Sequence, residues 1–317
     1  MSTKNPKLKK RWIIISVILL LILLIGYFVI EYTAQNILAY SPIRPARCTK
    51  ETLLKYNNGV YTPDQLNLRY KDFNITVEDT IKLRGWFIFS DSVASKGTIF
   101  LLHGIASCKA TMLNTAKLLA SFGFNSVIYD SRANGESGGI NCTFGYYEKN
   151  DLSAYIDSTQ SRYPNSAPYG ALGNSLGAAV LIQTMAEDER IICGIAESPF
   201  ANLREIIHDY FSRMYYLRIN WIPDKALKYS EKIANFKVDS VAPALSAFDI
   251  IHPVMIVHGL VDEHISYKYG KEVFKNLKSQ NKKWYPIPDG SHDNLAQVGG
   301  SKLDSAILKY FSEYLKK

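Results

Sequence analysis

Ser175 lies at the centre of a short motif, G-N-S-L-G, that is typical of an exposed nucleophilic hydroxyl. An apolar run up to Leu172 precedes the motif and small residues follow it, which predicts a buried strand, a sharp turn and the start of a helix. Gly173 and Gly177 leave room for the strand and helix backbones to approach each other. Leu176 would then place its backbone N–H at a helix N-terminus, where it stabilises the oxyanion that forms when Ser175 attacks a carbonyl group.

Two later segments carry the partners that a nucleophilic serine needs. Asp262 follows an apolar run at residues 253–258, and His292 follows another at residues 283–287. His292 can act as the general base for Ser175 and then as the acid for the leaving group, while Asp262 orients its imidazole. The chain order serine, acid, histidine is the order found in α/β-hydrolases. The sequence therefore predicts acyl transfer at Ser175, Asp262 and His292.

Other residues compete for two of these roles. Glu263 and Glu197 are alternative acids, and Asp262 is also compatible with a simple turn-forming role. His264 is the rival of His292 as the base, but it lies only two residues beyond Asp262 in the same loop. We therefore favour Asp262 and His292.

A third loop, L-L-H-G-I-A-S, follows the apolar run at residues 98–102. Its turn at Gly104 would allow the backbone N–H of Ile105 to act as a second oxyanion donor beside that of Leu176. His103 is expected to brace this loop through hydrogen bonds and to take no part in catalysis.

Short apolar runs alternate with amphipathic stretches through the body of the chain, which predicts an α/β fold with a mostly parallel sheet and helices on both faces. Two strand-like runs, 72–77 and 81–89, predict an antiparallel pair that precedes the alternating strands and helices in the chain. Ligands bind at the carboxyl ends of the strands in such sheets. The predicted strands lie at 98–102, 125–129, 169–172, 192–196, 253–258 and 283–287, and the predicted helices at 109–121, 146–160, 176–187, 269–277 and 302–314.

The N-terminal region predicts a membrane anchor. Residues 12–30 carry no charge and are long enough to cross a hydrocarbon layer of about 30 Å. The basic tail, residues 1–11, places the N-terminus in the cytoplasm and the rest of the chain on the non-cytoplasmic side. A cleaved signal peptide is the alternative, although the apolar run is long and no good small-residue cleavage site follows it. Residues 31–66, with three prolines, are expected to form an irregular stalk, and residues 67–317 the catalytic domain.

Composition narrows the range of functions. The chain of 317 residues has a formal net charge of +8, but five of these charges belong to the basic tail, so the body is only mildly basic and nucleic-acid binding is not expected. The four cysteines are scattered without C-x-x-C spacing, which indicates neither a zinc site nor a disulfide framework, and no metal or other cofactor is expected.

Residues 201–247 do not follow the strand–helix alternation and are rich in aromatic side chains. We interpret this segment as a helical cap over the site, broken at Pro223 and Pro243. The aromatic residues either pack the junction between cap and sheet or line an apolar site for an acyl chain, and both roles are compatible.

The chain resembles the α/β-hydrolase-fold serine hydrolases, and within them the prolyl-oligopeptidase-related esterases and peptidases. The resemblance implies an eight-stranded, mainly parallel sheet, a Ser-Asp-His triad, two backbone amides for the oxyanion, no cofactor, and esters, thioesters or amides as substrates. We interpret Asp130 and Arg132 as structural, with Arg132 tying loops together beside the site. Asn174 departs from the His, Tyr or Trp often found before the serine in similar enzymes. The segments that carry it are His103-Gly104, residues 129–138, 173–177 and 258–262, and Gly290-Ser291-His292.

We therefore expect a membrane-anchored serine hydrolase that cleaves carboxylic esters or thioesters, with a small or lipid-like acyl substrate. A serine peptidase of the same group is the nearest alternative. A non-catalytic, membrane-tethered binding protein on the same fold is a third interpretation, which an intact triad disfavours.

Overall fold

The computed structural model describes residues 6–51, 53, 59–78 and 80–316, so that parts of the basic tail (1–5) and of the expected stalk (52 and 54–58) lie outside the described residues. The strands are β1 Tyr70–Asp72, β2 Ile75–Val77, β3 Ile81–Leu83, β4 Gly85–Ile88, β5 Thr98–Leu102, β6 Asn125–Tyr129, β7 Tyr169–Asn174, β8 Ile191–Glu197, β9 Val254–Gly259 and β10 Lys282–Ile287. The α-helices are α1 Pro6–Thr33, α2 Tyr40–Ile43, α3 Leu113–Ser121, α4 Glu148–Arg162, α5 Leu176–Met185, α6 Leu203–Tyr215, α7 Trp221–Ala234, α8 Pro243–Ser246, α9 Tyr267–Asn276 and α10 Leu295–Tyr314.

Eight strands form the main sheet in the order β1-β4-β6-β5-β7-β8-β9-β10. The pairs from β6 to β10 are parallel, and β1 and β4 add an antiparallel edge. The parallel strands β5, β6 and β9 are buried along their whole length, as expected for a sheet that is covered on both faces. The prediction of a mainly parallel, eight-stranded sheet is confirmed.

The antiparallel part differs in detail from the prediction. Each of the two predicted strands is broken into two, so that β2 pairs with β3 in a separate two-stranded sheet while β1 pairs with β4 at the edge of the main sheet. Asn74 and Arg84 lie at the two breaks, outside any strand. The alternation of apolar residues continues across these breaks, so the hydrophobic pattern does not reveal them.

Helices cover both faces of the sheet. On one face, α4 and α5 bury Leu152, Tyr155 and Leu181 against the strands. On the other face, α3 and α10 bury Leu119 and Phe311. This arrangement fixes the carboxyl ends of β5, β7, β9 and β10 at one edge, so the loops that follow these strands meet there.

The N-terminal helix α1 is apolar and exposed along its length, and among the described residues it belongs to the one helical stretch long and apolar enough to cross a membrane. The expected irregular stalk begins differently, because residues 34–38 form a π-helix and α2 follows directly. Ala34, Ala39 and Ile43 are fully buried, and the Ser230 hydroxyl of α7 donates to the Ala39 carbonyl at 2.6 Å. Packing against the body of the protein thus keeps this segment helical despite Pro42.

The cap consists of α6 and α7, followed by short helical turns around α8. Pro243 is the first residue of α8. Pro223, in contrast, does not separate two helices, because it lies in the first turn of α7. A first-turn N–H has no partner within the helix, so proline is tolerated there. The break falls instead at residues 216–220, before Trp221.

Candidate active site

Ser175 occupies a strained turn between β7 and α5. Its φ of 54° and ψ of −112° are unusual for a residue with a side chain. The Ser175 N–H donates to the Glu197 carbonyl at 2.8 Å, which holds the turn against β8. A Cβ atom on Gly173 would lie 2.2 Å from the Gly177 carbonyl oxygen. The turn therefore requires glycine at position 173, and Gly177 is required by its close contact with the Leu102 backbone.

His292 lies between Ser175 and Asp262. Its Nδ1 is 2.8 Å from Asp262 Oδ2, and its Nε2 is 3.0 Å from Ser175 Oγ. Because the carboxylate can only accept, Nδ1–H donates to Asp262, and Nε2 is left to accept the proton of the Ser175 hydroxyl. The three side chains come from loops after β7, β9 and β10, and the structure brings them into one hydrogen-bonded chain.

Backbone groups hold Asp262 in place. Its Oδ1 accepts from the N–H groups of His264 at 2.9 Å and Ile265 at 2.7 Å. Burial by itself raises the pKa of Asp262, but the hydrogen bond and charge of His292 outweigh it, so the carboxyl pKa lies below its usual value. Asp262 is therefore ionised at neutral pH, which allows it to stabilise an imidazolium on His292.

His258, in β9, supports the same loop through a hydrogen bond. It is fully buried, and its Nε2–H donates to the Ile265 carbonyl at 2.9 Å. Burial lowers the pKa of His258, so it is neutral at neutral pH. It acts on the loop as a hydrogen-bond donor, 3.6 Å from Asp262 Oδ2.

The alternative residues take other positions. The Glu197 carboxylate faces Asn174, whose Nδ2 lies 3.5 Å from it. Burial raises the pKa of Glu197 to about 7. The Glu263 carbonyl accepts a hydrogen bond from Arg213 at the protein surface. The His264 ring centroid is 5.4 Å from that of His292, and its Nε2 faces Asp293 at 3.8 Å. None of the three lies between Ser175 and its base.

Ile105 and Leu176 both line the cavity that contains Ser175. Leu176 is the first residue of α5, so its N–H is free of the hydrogen bonds within that helix. The loop that carries Ile105 passes close to Ser175, since a Cβ on Gly104 would lie 3.5 Å from the Ser175 Cβ. Ile105 and Leu176 therefore both lie close to the serine, and their role as oxyanion donors stays a prediction.

His103 braces this loop and does not reach the serine. It is fully buried, Nδ1–H donates to the Gly104 carbonyl at 2.6 Å, and Nε2 accepts from the Ser131 N–H at 3.0 Å. Asp130 accepts from the N–H of Lys109 at 2.6 Å and from its ammonium at 2.9 Å. These bonds tie the loop after β5 to the loop after β6.

Arg132 joins three segments beside the site. Its guanidinium makes two hydrogen bonds to Asp151 of α4, at 2.8 and 2.7 Å, and a third to Glu78 of the β2–β3 turn at 2.8 Å. It lies 5.0 Å from the centroid of the Tyr147 ring. The structural role expected for Arg132 matches these contacts.

An apolar cavity of about 250 Å³ opens above Ser175. Its walls come from the cap, the loops at the strand ends and the segment that follows α1, and among the described residues that line it none is charged. That Leu38, Ser41 and Pro42 belong to this wall could not be predicted from the sequence. More than 130 residues separate them from Ser175, and only the packing of α2 against α7 brings them there.

Among the described residues, no group of three His, Cys, Asp or Glu side chains is suited to a metal ion.

Comparison with solved structures decides the architecture. Esterase Pf2001 of Pyrococcus furiosus superposes with a TM-score of 0.70 and 27% identity, over 87% of this chain and 99% of that one. The chain has the α/β-hydrolase fold. The model of a hydrolase-fold family described as serine aminopeptidase, S33, matches residues 93–241, which include β5 to β8 and the first part of the cap.

Two protein relatives match the chain over a smaller share of its length. The uncharacterized protein YqkD of Bacillus subtilis is 28% identical over 201 residues, and the match spans 62% of this chain and 64% of that protein. An uncharacterized membrane protein of Saccharomyces cerevisiae, YNL320W, is 24% identical over 76% of this chain and 80% of its own length.

Proposed function

We propose that this protein is a membrane-anchored serine hydrolase that cleaves acyl esters, carboxylic or thioester, through an acyl-serine intermediate. The observation that carries the proposal is the chain of hydrogen bonds from Asp262 through His292 to Ser175 at the base of an apolar cavity. The similarity to an esterase of Pyrococcus furiosus supports the reaction class.

The chemistry follows from the roles that each group can take. His292 Nε2 removes the Ser175 proton as the hydroxyl oxygen attacks the substrate carbonyl, and Asp262 stabilises the imidazolium that results. The tetrahedral oxyanion accepts hydrogen bonds from the N–H groups of Leu176 and Ile105. Its collapse breaks the ester bond, and His292 gives its proton to the departing alcohol or thiol. Water, deprotonated by His292, then releases the acid and restores Ser175.

The apolar cavity is the proposed binding site for the acyl group of the substrate. It is lined by apolar side chains such as Phe200, Phe211 and Leu227, and its volume of about 250 Å³ is just below the range of about 300–1,000 Å³ usual for ligand sites. Leu38 and Pro42 extend the wall towards the anchor. An amphiphilic, lipid-like acyl ester fits such a surface, because its chain leaves water for an uncharged environment.

A serine peptidase is the second candidate, since the matching family model is described as a serine aminopeptidase. An aminopeptidase must bind the protonated amino group of its substrate, for which a carboxylate is the usual partner. The described residues that line the cavity include no carboxylate. We therefore favour ester over peptide substrates.

The proposed location is a single-pass membrane protein whose hydrolase domain lies on the non-cytoplasmic side. Lys9, Lys10 and Arg11 stand at the start of α1, and positive charge at this end favours a cytoplasmic N-terminus. The similarity to a yeast protein described as a membrane protein supports the anchor. Protease treatment of sealed membrane vesicles whose cytoplasmic face points outwards tests the orientation: digestion of the hydrolase domain without detergent would contradict it.

A fluorophosphonate probe tests the proposed nucleophile directly, because it reacts with activated serines. We expect the full-length protein to be labelled, and Ser175→Ala to remain folded and unlabelled. Ser41→Ala is the matched control, since Ser41 also lines the cavity and its loss should leave labelling intact. A folded wild-type protein that resists the probe would contradict the hydrolase and favour a binding protein. Acyl esters and aminoacyl amides of matched leaving group then separate an esterase from a peptidase.

A further inference from the structure

Two of the four cysteines lie against each other in the fold. Cys48 belongs to the segment that leaves α2, and Cys108 follows the loop that carries Ile105. Their Sγ atoms are 2.7 Å apart, although 59 residues separate them in the sequence. Cys142 and Cys193 are each fully buried elsewhere in the core. We propose that Cys48 and Cys108 form a disulfide bond when the hydrolase domain meets an oxidising compartment.

The backbone on each side of this pair is held in place. The Arg47 guanidinium donates to the carbonyl oxygens of Gly135, Ser137 and Gly139, at 2.9, 2.6 and 2.9 Å. The Cys108 carbonyl accepts from the hydroxyl of Thr111 at 2.8 Å. These contacts hold the residue before Cys48 and the backbone of Cys108, so the fold itself brings the two sulfur atoms together. Bond formation requires an approach of less than about 1 Å, since a disulfide bond is about 2.0 Å long.

The local chemistry decides how the bond forms. Burial raises the pKa of both thiols, and that of Cys108 most, so neither is a strong nucleophile by itself. Cys48 is only partly buried and is the thiol that an oxidant can reach. Its thiolate attacks the disulfide of a dithiol oxidoreductase or of oxidised glutathione, giving a mixed disulfide and a free thiol on the oxidant. Cys108 then attacks Cys48 Sγ and expels the second thiol, so two protons and two electrons pass from the pair to the oxidant.

The bond would join the segment after the anchor to the loop over the nucleophile. Cys108 is three residues beyond Ile105, so the link limits the movement of the loop that we propose as an oxyanion donor. It also closes a long loop in the unfolded chain, which lowers the entropy of that state. The proposal rests on the geometry of the two sulfurs and on the proposed non-cytoplasmic location, and it does not depend on the chemistry proposed for Ser175.

Counting thiols in the purified full-length protein tests the bond. The protein is reduced, freed of reductant, exposed to oxidised glutathione, denatured and alkylated with N-ethylmaleimide. We expect two alkylated cysteines by intact mass, four after renewed reduction, and a single crosslinked peptide pair containing Cys48 and Cys108. The reduced form should unfold about 10 °C lower than the oxidised form.

Variants make the test specific. Cys48→Ser should leave three alkylated cysteines and abolish the effect of reductant on the unfolding temperature. Cys193→Ala is the matched control, because it removes a buried cysteine and should leave the crosslink intact. Four free thiols, a glutathione adduct that persists on Cys48, or a crosslink involving Cys142 or Cys193 would each overturn the proposal. Labelling of Ser175 by the fluorophosphonate probe is scored separately, so the failure of either idea can be recognised.

Discussion

Gly177 packs so closely on Leu102 that a Cβ atom on the glycine would lie 2.3 Å from the Leu102 carbonyl oxygen. Both groups are backbone or rigidly held, so Gly177→Ala forces α5 away from β5. We expect the free energy of unfolding to fall by about 3 kcal/mol or more and activity to be lost, as measured by denaturant unfolding and ester hydrolysis. Gly26→Ala is the control, because an added methyl group there meets no atom within 4 Å. A fully stable Gly177→Ala protein would contradict this packing.

Asp262→Asn tests the role of the carboxylate without changing its size. The amide cannot stabilise an imidazolium and can hold His292 in the wrong tautomer, so kcat should fall roughly a thousandfold or more. Stability at neutral pH should also decrease. The pKa of Asp262 is lower in the folded than in the unfolded protein, where it is about 3.9, so the ionised carboxylate stabilises the fold at neutral pH. This stabilisation of the wild-type protein disappears as the pH falls through the folded pKa. Asp293→Asn, at an exposed neighbour, should leave kcat within about twofold. Equal effects of the two substitutions would exclude the proposed role.

Glu197→Gln should make stability less dependent on pH. The pKa of Glu197 is raised from 4.5 to about 7, so the folded state holds its proton over a pH range in which the unfolded state has lost it. Wild-type stability therefore declines as pH rises from about 4.5 to 7, and the variant lacks this decline. By pH 8 the variant should gain about 1–2 kcal/mol relative to wild type. Urea unfolding at several pH values measures this, with the exposed Glu187→Gln as the control.

Ala226→Phe should narrow the acyl cavity from the side of the cap. Ala226 is a buried residue of α7 that lines this space. Hydrolysis of a long-chain acyl ester should fall roughly tenfold or more, while that of an acetyl ester changes little, because only the longer chain needs the filled volume. Lys228→Phe places the same ring on the exposed side of α7 and should leave the chain-length profile unchanged. A uniform loss over all esters would show that the cavity does not receive the acyl chain.

The sequence predicted the features that are encoded locally. Ser175, Asp262 and His292 each follow an apolar run, and a parallel sheet brings the carboxyl ends of such runs to one edge whatever the details of packing. The glycines at 173 and 177 indicate that the strand and helix backbones on either side of Ser175 lie very close together, and these backbones are only a few residues apart in the sequence. For the same reason the parallel strands were predicted almost to the residue.

Features that depend on contacts between distant segments could not be predicted. The helical continuation after α1 is stabilised by Ser230 and the rest of α7, nearly 200 residues later in the chain. The contact of Cys48 with Cys108 likewise exists only once the sheet and its loops have formed. Nothing in the composition of residues 34–48 distinguishes such packing from a stalk, and the prolines there favour the wrong interpretation.

The helical continuity from α1 to Ile43 has a practical consequence for any soluble version of this protein. Leu38 lies only five residues beyond the end of α1, which is less than about 10 Å along a helix axis. A truncation designed to remove the hydrophobic helix together with its apparent linker would also delete part of the cavity wall, to which Leu38, Ser41 and Pro42 belong. Such a truncated form would have an enlarged and more exposed cavity, so any substrate preference measured on it would describe the truncated form and not the full-length protein. The unit to assay is the intact chain in detergent or nanodiscs.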